Sequence, residues 1–232
     1  MISALILAGG IGSRMGADKP KLFLEIGGEP ILVHTVRAFL RCPEVELVVV
    51  AATKGWLDYT EDILVKAFGE EERFAVTVGG ADRLGSLMNA CAFLSEKGEL
   101  TEEDILLTHD GARPFVSRET ILDNLEKIRL YDAVTTAVPS VDTILRSENG
   151  ATVAEIPNRK AMYAMQTPQT FHGAELAALL AAVSEEERQT LTDATKIYLS
   201  RGRSVGIAKG TPENIKITER KDILFAEGYL SC

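Results

Sequence analysis

The sequence is short of the groups on which much enzyme chemistry relies. It has three histidines and three cysteines in 232 residues. Cys42, Cys91 and Cys232 are odd in number and far apart, which excludes a disulfide framework and a Cys/His zinc site and suits a reducing cytoplasm. Each reads as a small buried hydrophobe, or as a tail residue for Cys232. No apolar run approaches the ~18 residues of a membrane span. No basic segment precedes the first apolar run, so residues 1–7 read as a strand and not as a signal peptide. Lysine and arginine (25) are outnumbered by aspartate and glutamate (34), and the formal charge of −9 argues against nucleic-acid binding. There is no G-x-S-x-G elbow and no Cys/His pair at a catalytic spacing, so covalent catalysis has no obvious nucleophile.

What the chain does have is rhythm. Short apolar or β-branched runs at 2–7, 45–52, 74–78, 105–109 and 133–138 alternate with helical stripes. Pro30 opens one stripe over 31–40. Trp56, Tyr59, Ile63 and Phe68 form a second, Leu84, Leu87, Met88 and Cys91 a third, and Ile121, Leu122, Leu125 and Ile128 a fourth. The pattern predicts one α/β domain over residues 1–232, with a mostly parallel sheet and helices on both faces. Ligands in such sheets bind at the carboxyl ends of strands, here the loops 8–21, 79–86 and 109–115. Residues 140–159 break the rhythm: Asn149-Gly150 between two short polar-apolar runs predicts a hairpin. The hairpin either folds back on its own domain or reaches across to a second subunit.

Three loops carry the candidate chemistry. The first, Leu7-Ala8-Gly9-Gly10-Ile11-Gly12-Ser13-Arg14-Met15-Gly16, is followed by Lys19-Pro20-Lys21. It matches neither a Walker A loop nor a dinucleotide fingerprint. Glycines that bring backbone N–H groups close, with Arg14, Lys19 and Lys21 nearby, suit a polyphosphate; the alternative is an ordinary turn with solvated cations. The second, Gly79-Gly80-Ala81-Asp82-Arg83-Leu84-Gly85-Ser86, could hold a base or ribose, or be a plain turn capped by Asp82. The third, His109-Asp110-Gly111-Ala112-Arg113-Pro114, places Asp110 at a strand end, where one carboxylate suits Mg²⁺ or an ion pair with Arg113. His109 reads as a structural, hydrogen-bonded ring. Asn214-Ile215-Lys216-Ile217-Thr218 reads as a short strand with one cation. Scarce histidine fits a phosphate-monoester nucleophile, which is mostly dianionic at neutral pH and needs cations more than a base.

Leu-x-x-Gly-Gly-x-Gly-x-Arg-Met-Gly with a following Pro-Lys resembles the sugar-nucleotide nucleotidyltransferases, and 109–114 narrows this to the cytidylyltransferases of polyol phosphates. The resemblance spans nearly the whole chain. It implies a Rossmann-like three-layer nucleotidyltransferase fold with an inserted hairpin arm. It also implies Mg²⁺ with CTP as co-substrate, and a homodimer in which the arm carries Arg159 to the partner's site. By position, Arg14 and Lys21 fall on the cations that stabilise the α-phosphate. Leu7, Ala8, Gly9 and Gly10, with Gly80, Ala81, Asp82, Arg83 and Ser86, fall on the CTP loops. Asp110 falls on the acidic residue near Mg²⁺ and the nucleotide, with Arg113 beside it. Arg159 and Lys216 fall on the positions that hold the substrate phosphate, and Thr167 and Thr192 fall near the polyol. Within the family, Trp56, Met162-Tyr163, Gln166-Thr167-Pro168-Gln169, Leu191-Thr192-Asp193-Ala194 and Asn158 look like the ribitol-phosphate members more than the methylerythritol-phosphate ones. The expectation is CMP transfer from CTP to D-ribitol 5-phosphate, supplying a ribitol-phosphate polymer of a cell wall or capsule. The rivals are methylerythritol 4-phosphate as acceptor, a hexose-phosphate enzyme using UTP or GTP, and a nucleotide-binding regulator without turnover.

Overall fold

The computed structural model describes residues 1–9, 19–98, 100–191 and 193–231, the side chains of Gln189 and Thr190 aside. Its backbone is a seven-stranded sheet. In chain order the strands are β1 (Ile2–Ala8), the short pair β2 (Glu25–Ile26) and β3 (Glu29–Pro30), β4 (Leu47–Ala52), β5 (Phe74–Val78), β6 (Ile105–Asp110), β7 (Ala133–Pro139), β8 (Tyr163–His172) and β9 (Val205–Lys209). The helices are α1 (Ile31–Leu40), α2 (Leu57–Phe68), α3 (Arg83–Lys97), α4 (Arg118–Lys127), α5 (Gly173–Ala181), α6 (Glu185–Thr190), α7 (Ala194–Ser200) and α8 (Arg220–Leu230). The large sheet runs β5-β4-β1-β6-β8-β7-β9, and β2 and β3 form a separate antiparallel pair.

Side-chain alternation explains the three layers. From β1, Ala4 and Ile6 face a core built with α1, α2, α4 and α8, while Leu5 and Leu7 face one built with α3, α5 and α7. Val48 and Val50 of β4 join the first core, Val49 and Ala51 the second. Strands covered on both faces need no polar alternation, which is why these runs are continuously apolar. Pairing is parallel from β5 through β6 and again between β7 and β9. β8 runs antiparallel to both its neighbours, with a register shift opposite Thr135/Thr136. The parallel, helix-covered architecture matches the expectation, as does the start of α1 at Pro30.

Two expectations need correction. Residues 214–218 are not a strand; they run alongside the loop after β6, where Ile217 N–H donates to Ala112 O at 2.8 Å. Alternating Ile215 and Ile217 imitate a strand, but no neighbouring strand among the described residues pairs with them. The hairpin at 140–159 exists, yet it is not a tight Asn-Gly turn. It is held at Arg146 and Glu155, and residues 147–154 form a wider loop. There the Asn149 side chain accepts from the Ala151 and Thr152 amides at 2.9 Å, and Gly150 takes φ +72°. The hairpin leaves Val141, Leu145, Val153 and Ile156 exposed. No helix among the described residues is long and apolar enough to cross a membrane.

Candidate active site

The sheet changes direction of growth at β1: β4 follows on one side and β6 returns on the other. The carboxyl ends of β1 and β6 therefore open a crevice. Leu7 and Asp110 are register partners at its floor. The cleft there is lined by Leu7, Gly9, Lys21, Leu22, Ala81, Asp82, Arg83, Ser86, Asp110, Gly111, Ala112 and Lys216. Most of the expected nucleotide residues thus meet in one place. Ala8 is buried behind it, its carbonyl accepting from Thr53 Oγ1 at 3.1 Å.

The turn after β5 is built by short contacts. Asp82 caps α3, its carboxylate accepting from Gly85 N–H at 2.6 Å. Ser86 Oγ accepts from Gly80 N–H at 3.0 Å and donates to Asp82 O at 2.9 Å. A Cβ on Gly80 would lie 2.6 Å from Gly85 Cα, and one on Gly9 would lie 2.5 Å from Ser86 Oγ. Glycine at 80 lets the turn close on Gly85, and glycine at 9 lets the β1 loop approach Ser86. Asp82 and Ser86 both line the cleft and build the turn, so the two readings of this loop hold together.

Asp110 is the electrostatic centre. It is buried, and its carboxylate meets Lys216 Nζ at 3.0 Å, Arg83 Nε at 3.3 Å and Arg113 Nε at 3.5 Å. Burial works to raise its pKa, but the cations Arg83, Lys216 and Arg113 overcome that and hold the carboxyl below the ordinary carboxylate range. The Arg113 pairing expected as an alternative to Mg²⁺ is present, as one of three. Arg113 Nη1 also donates to Asn214 O at 2.8 Å, which fixes the segment carrying Lys216. Among the described residues no group of three or more His, Cys, Asp or Glu forms a metal cage. One carboxylate fits Mg²⁺ when phosphate oxygens and water fill its other positions, and Asp110 is the residue that would hold it.

His109 is fully buried and does not line the cleft. Desolvation pushes its pKa down to about 4, so the ring is neutral at pH 7. Its Nε2 lies 3.0 Å from Arg113 O and its Nδ1 3.0 Å from Thr167 Oγ1. It is the structural ring that the sequence suggested. Thr167 is buried too, and its hydroxyl also accepts from Asp110 N–H at 3.1 Å. This places Thr167 behind Asp110 rather than on the cleft wall.

Lys21 lines the cleft and donates to Ile217 O at 3.0 Å. Arg159 does not line it; it sits at the base of the hairpin, exposed, with its guanidinium 3.4 Å from Val141 O. Gly10, Arg14 and Thr192 lie outside the described residues. Leu22, Gly111 and Ala112 also line the cleft, beyond the residues that the sequence singles out. Gly111 and Ala112 are within reach of sequence reasoning, since they sit inside the 109–114 motif; an apolar Leu22 carries no sequence signal of its own.

Known proteins resemble this chain from end to end, in sequence or in architecture. The family model described as "IspD: 2-C-methyl-D-erythritol 4-phosphate cytidylyltransferase" matches residues 2–232. The ribitol-5-phosphate cytidylyltransferase of Streptococcus pneumoniae (strain Hungary19A-6) is 43% identical over 232 residues, covering 99% of each chain. The crystal structure of 4-diphosphocytidyl-2C-methyl-D-erythritol synthase from Anaerococcus prevotii DSM 20548 superposes with a TM-score of 0.82 at 30% identity, covering 100% of this chain and 96% of that one. The 2-C-methyl-D-erythritol 4-phosphate cytidylyltransferase from Thermus thermophilus superposes with a TM-score of 0.74 at 29% identity, covering 99% and 98%.

Proposed function

The chain belongs to the 2-C-methyl-D-erythritol 4-phosphate cytidylyltransferase (IspD) family, and from that premise we propose that it transfers CMP from CTP to D-ribitol 5-phosphate, releasing pyrophosphate and CDP-ribitol. The observation that carries the acceptor is the full-length 43% identity to a ribitol-5-phosphate cytidylyltransferase, against 30% for the methylerythritol synthase structure. The geometry supports the reaction type. A glycine-lined cleft with Lys21 on its wall and Arg83 and Lys216 on its one buried carboxylate is a site for phosphates, not for acid–base chemistry.

In this reading an oxygen of the acceptor phosphate attacks the α-phosphorus in line. The new P–O bond forms as the bond to the β-phosphate bridging oxygen breaks, and pyrophosphate leaves with that electron pair. The acceptor's second pKa is ~6, so no protein base is required. That agrees with a cleft whose lining, among the described residues, holds no histidine. Lys21 and Arg14 neutralise the charge gathering at the α-phosphate, and Lys216 and Arg159 hold the acceptor phosphate. Asp110 would hold Mg²⁺, which would supply positive charge to the triphosphate oxygens. The turn from Gly80 to Ser86 takes the nucleoside.

The whole chain acts as one domain, and the 140–159 arm reaches a second copy. Its exposed Val141, Leu145, Val153 and Ile156 support this, because a hairpin folded back on its own domain would bury them. Arg159, outside the cleft of its own chain, then serves the partner's. The scattered cysteines support a cytoplasmic place of action.

The test is pyrophosphate release with Mg·CTP, run side by side with D-ribitol 5-phosphate and 2-C-methyl-D-erythritol 4-phosphate. A strong preference for ribitol phosphate supports the reading. Preference for the methylerythritol substrate moves the chain to isoprenoid synthesis. Turnover with UTP or GTP in place of CTP defeats the nucleotide assignment, and no release with any acceptor favours a regulator.

A further inference from the structure

We propose that Gln169 and Asp193 are positioning residues that hold the Arg83 guanidinium in place against Asp110. The inference rests on the cytidylyltransferase reading and deepens it. Gln169 is fully buried in β8, and its amide bridges opposite charges. Its Oε1 accepts from Arg83 Nη2 at 3.1 Å, while its Nε2 donates to Asp193 Oδ2 at 2.7 Å and Oδ1 at 2.9 Å. The orientation is forced, since a guanidinium can only donate and a carboxylate can only accept. No other side chain of that length serves both ends: glutamate would repel Asp193, and lysine would repel Arg83.

Arg83 is thereby gripped at three nitrogens. Nε faces Asp110 at 3.3 Å, Nη2 faces Gln169, and Nη1 lies 3.9 Å from Asp193. Three partners around a planar fork fix its plane as well as its position. Arg83 lines the cleft, whereas Gln169 and Asp193 do not. They act through Arg83. Asp193 also caps α7, accepting from Thr195 N–H at 2.8 Å, so one carboxylate links the start of that helix to the nucleotide loop.

The experiment uses full-length protein in three forms besides wild type: Gln169→Glu, Asp193→Asn, and both together. The readouts are kcat/KM for CTP and, by calorimetry, CTP affinity, with cooperative thermal unfolding as the check on folding. Gln169→Glu sets two buried carboxylates against each other, and kcat/KM should fall about 100-fold, the scale of a ~1 Å misplacement. Asp193→Asn should cost about 10-fold, the worth of a charge-assisted hydrogen bond; asparagine caps helices as well as aspartate, so α7 keeps its start. The double variant restores the pattern: the new carboxylate accepts from Arg83 and from the new amide at position 193. It should recover to within about 5-fold of wild type, a coupling that damage by two independent changes would not produce. A double variant no better than Gln169→Glu overturns the proposal, and so does an Asp193→Asn enzyme equal to wild type. The second criterion decides alone if Gln169→Glu fails to fold. A wild type that binds CTP but releases no pyrophosphate defeats the catalytic reading instead, and the affinity series then scores this one.

Discussion

His109 Nδ1 lies 3.0 Å from the Thr167 hydroxyl, and the direction of that hydrogen bond is set from the far side of the ring. The other nitrogen faces the Arg113 carbonyl at 3.0 Å, which can only accept, so the proton is on Nε2. The Thr167 hydroxyl therefore donates to Nδ1 and accepts from the Asp110 amide at 3.1 Å. A strand end, a turn and β8 are thus tied together beneath the one carboxylate on which Arg83, Arg113 and Lys216 converge.

Stability should fall on mild acidification because of this ring. Burial holds the His109 pKa at about 4, below its ordinary value near 6.5. Between those values the unfolded chain binds a proton that the native chain refuses, so stability drops as pH falls through the window, by up to roughly 3 kcal/mol. The Asp110 carboxyl, held below the ordinary carboxylate range, adds its own loss once pH falls into that range, where the unfolded chain takes up the proton and the native chain does not. Urea midpoints at pH 7, 5.5 and 4.5 measure the slope, and His109→Gln should flatten it. An unchanged slope removes the ring from the account.

Thr167→Val should destabilise by about 1–3 kcal/mol for each of the two buried partners it strands, while Thr167→Ser should stay near wild type. Thermal unfolding reports this, and KM for the polyol phosphate reports the expected contact. If valine raises that KM and leaves stability intact, Thr167 serves the acceptor and not the scaffold.

Lys21→Ala should lower kcat for pyrophosphate release by roughly 10²–10³, the effect of losing one preorganised charge at a transition state. KM for CTP should change less. Near-normal kcat would take Lys21 out of the catalytic role.

Arg159→Ala should impair use of the polyol phosphate and leave CTP affinity intact. Mixed with Lys21→Ala protein and allowed to exchange subunits, it should regain activity, because each mixed dimer then has one intact site if the arms cross. Failure to recover on mixing, with exchange verified by mass, argues for an arm that serves its own chain.

Much of the architecture is legible in the sequence alone. Continuous apolar runs mark β1 and β4, and helix-period stripes mark α1 to α4, because both periods report burial directly. β8 is not legible. Its Gln166, Thr167, Gln169 and Thr170 are buried but polar, each bonded to a segment distant in sequence, and Pro168 interrupts the pattern. Local sequence cannot distinguish a polar strand whose partners are distant from an exposed loop. For the same reason Gln169 and Asp193 stand out only as members of motifs: the pairing between them spans 24 positions. Conversely, Gly79-Gly80 and the Asp82 cap are visible locally because a turn is a local object.

The three cations on Asp110 sit in a molecule whose formal charge is −9, and the two facts act at different ranges. In dilute buffer of about 10 mM the screening length is about 30 Å, and an approaching polyanion meets the repulsion of the whole chain. Near physiological salt that length shrinks to about 8 Å, the distant carboxylates fade, and the mouth of the cleft dominates. Capture of a polyanionic ligand should therefore quicken as salt is first added and slow only when the local attraction is screened in turn.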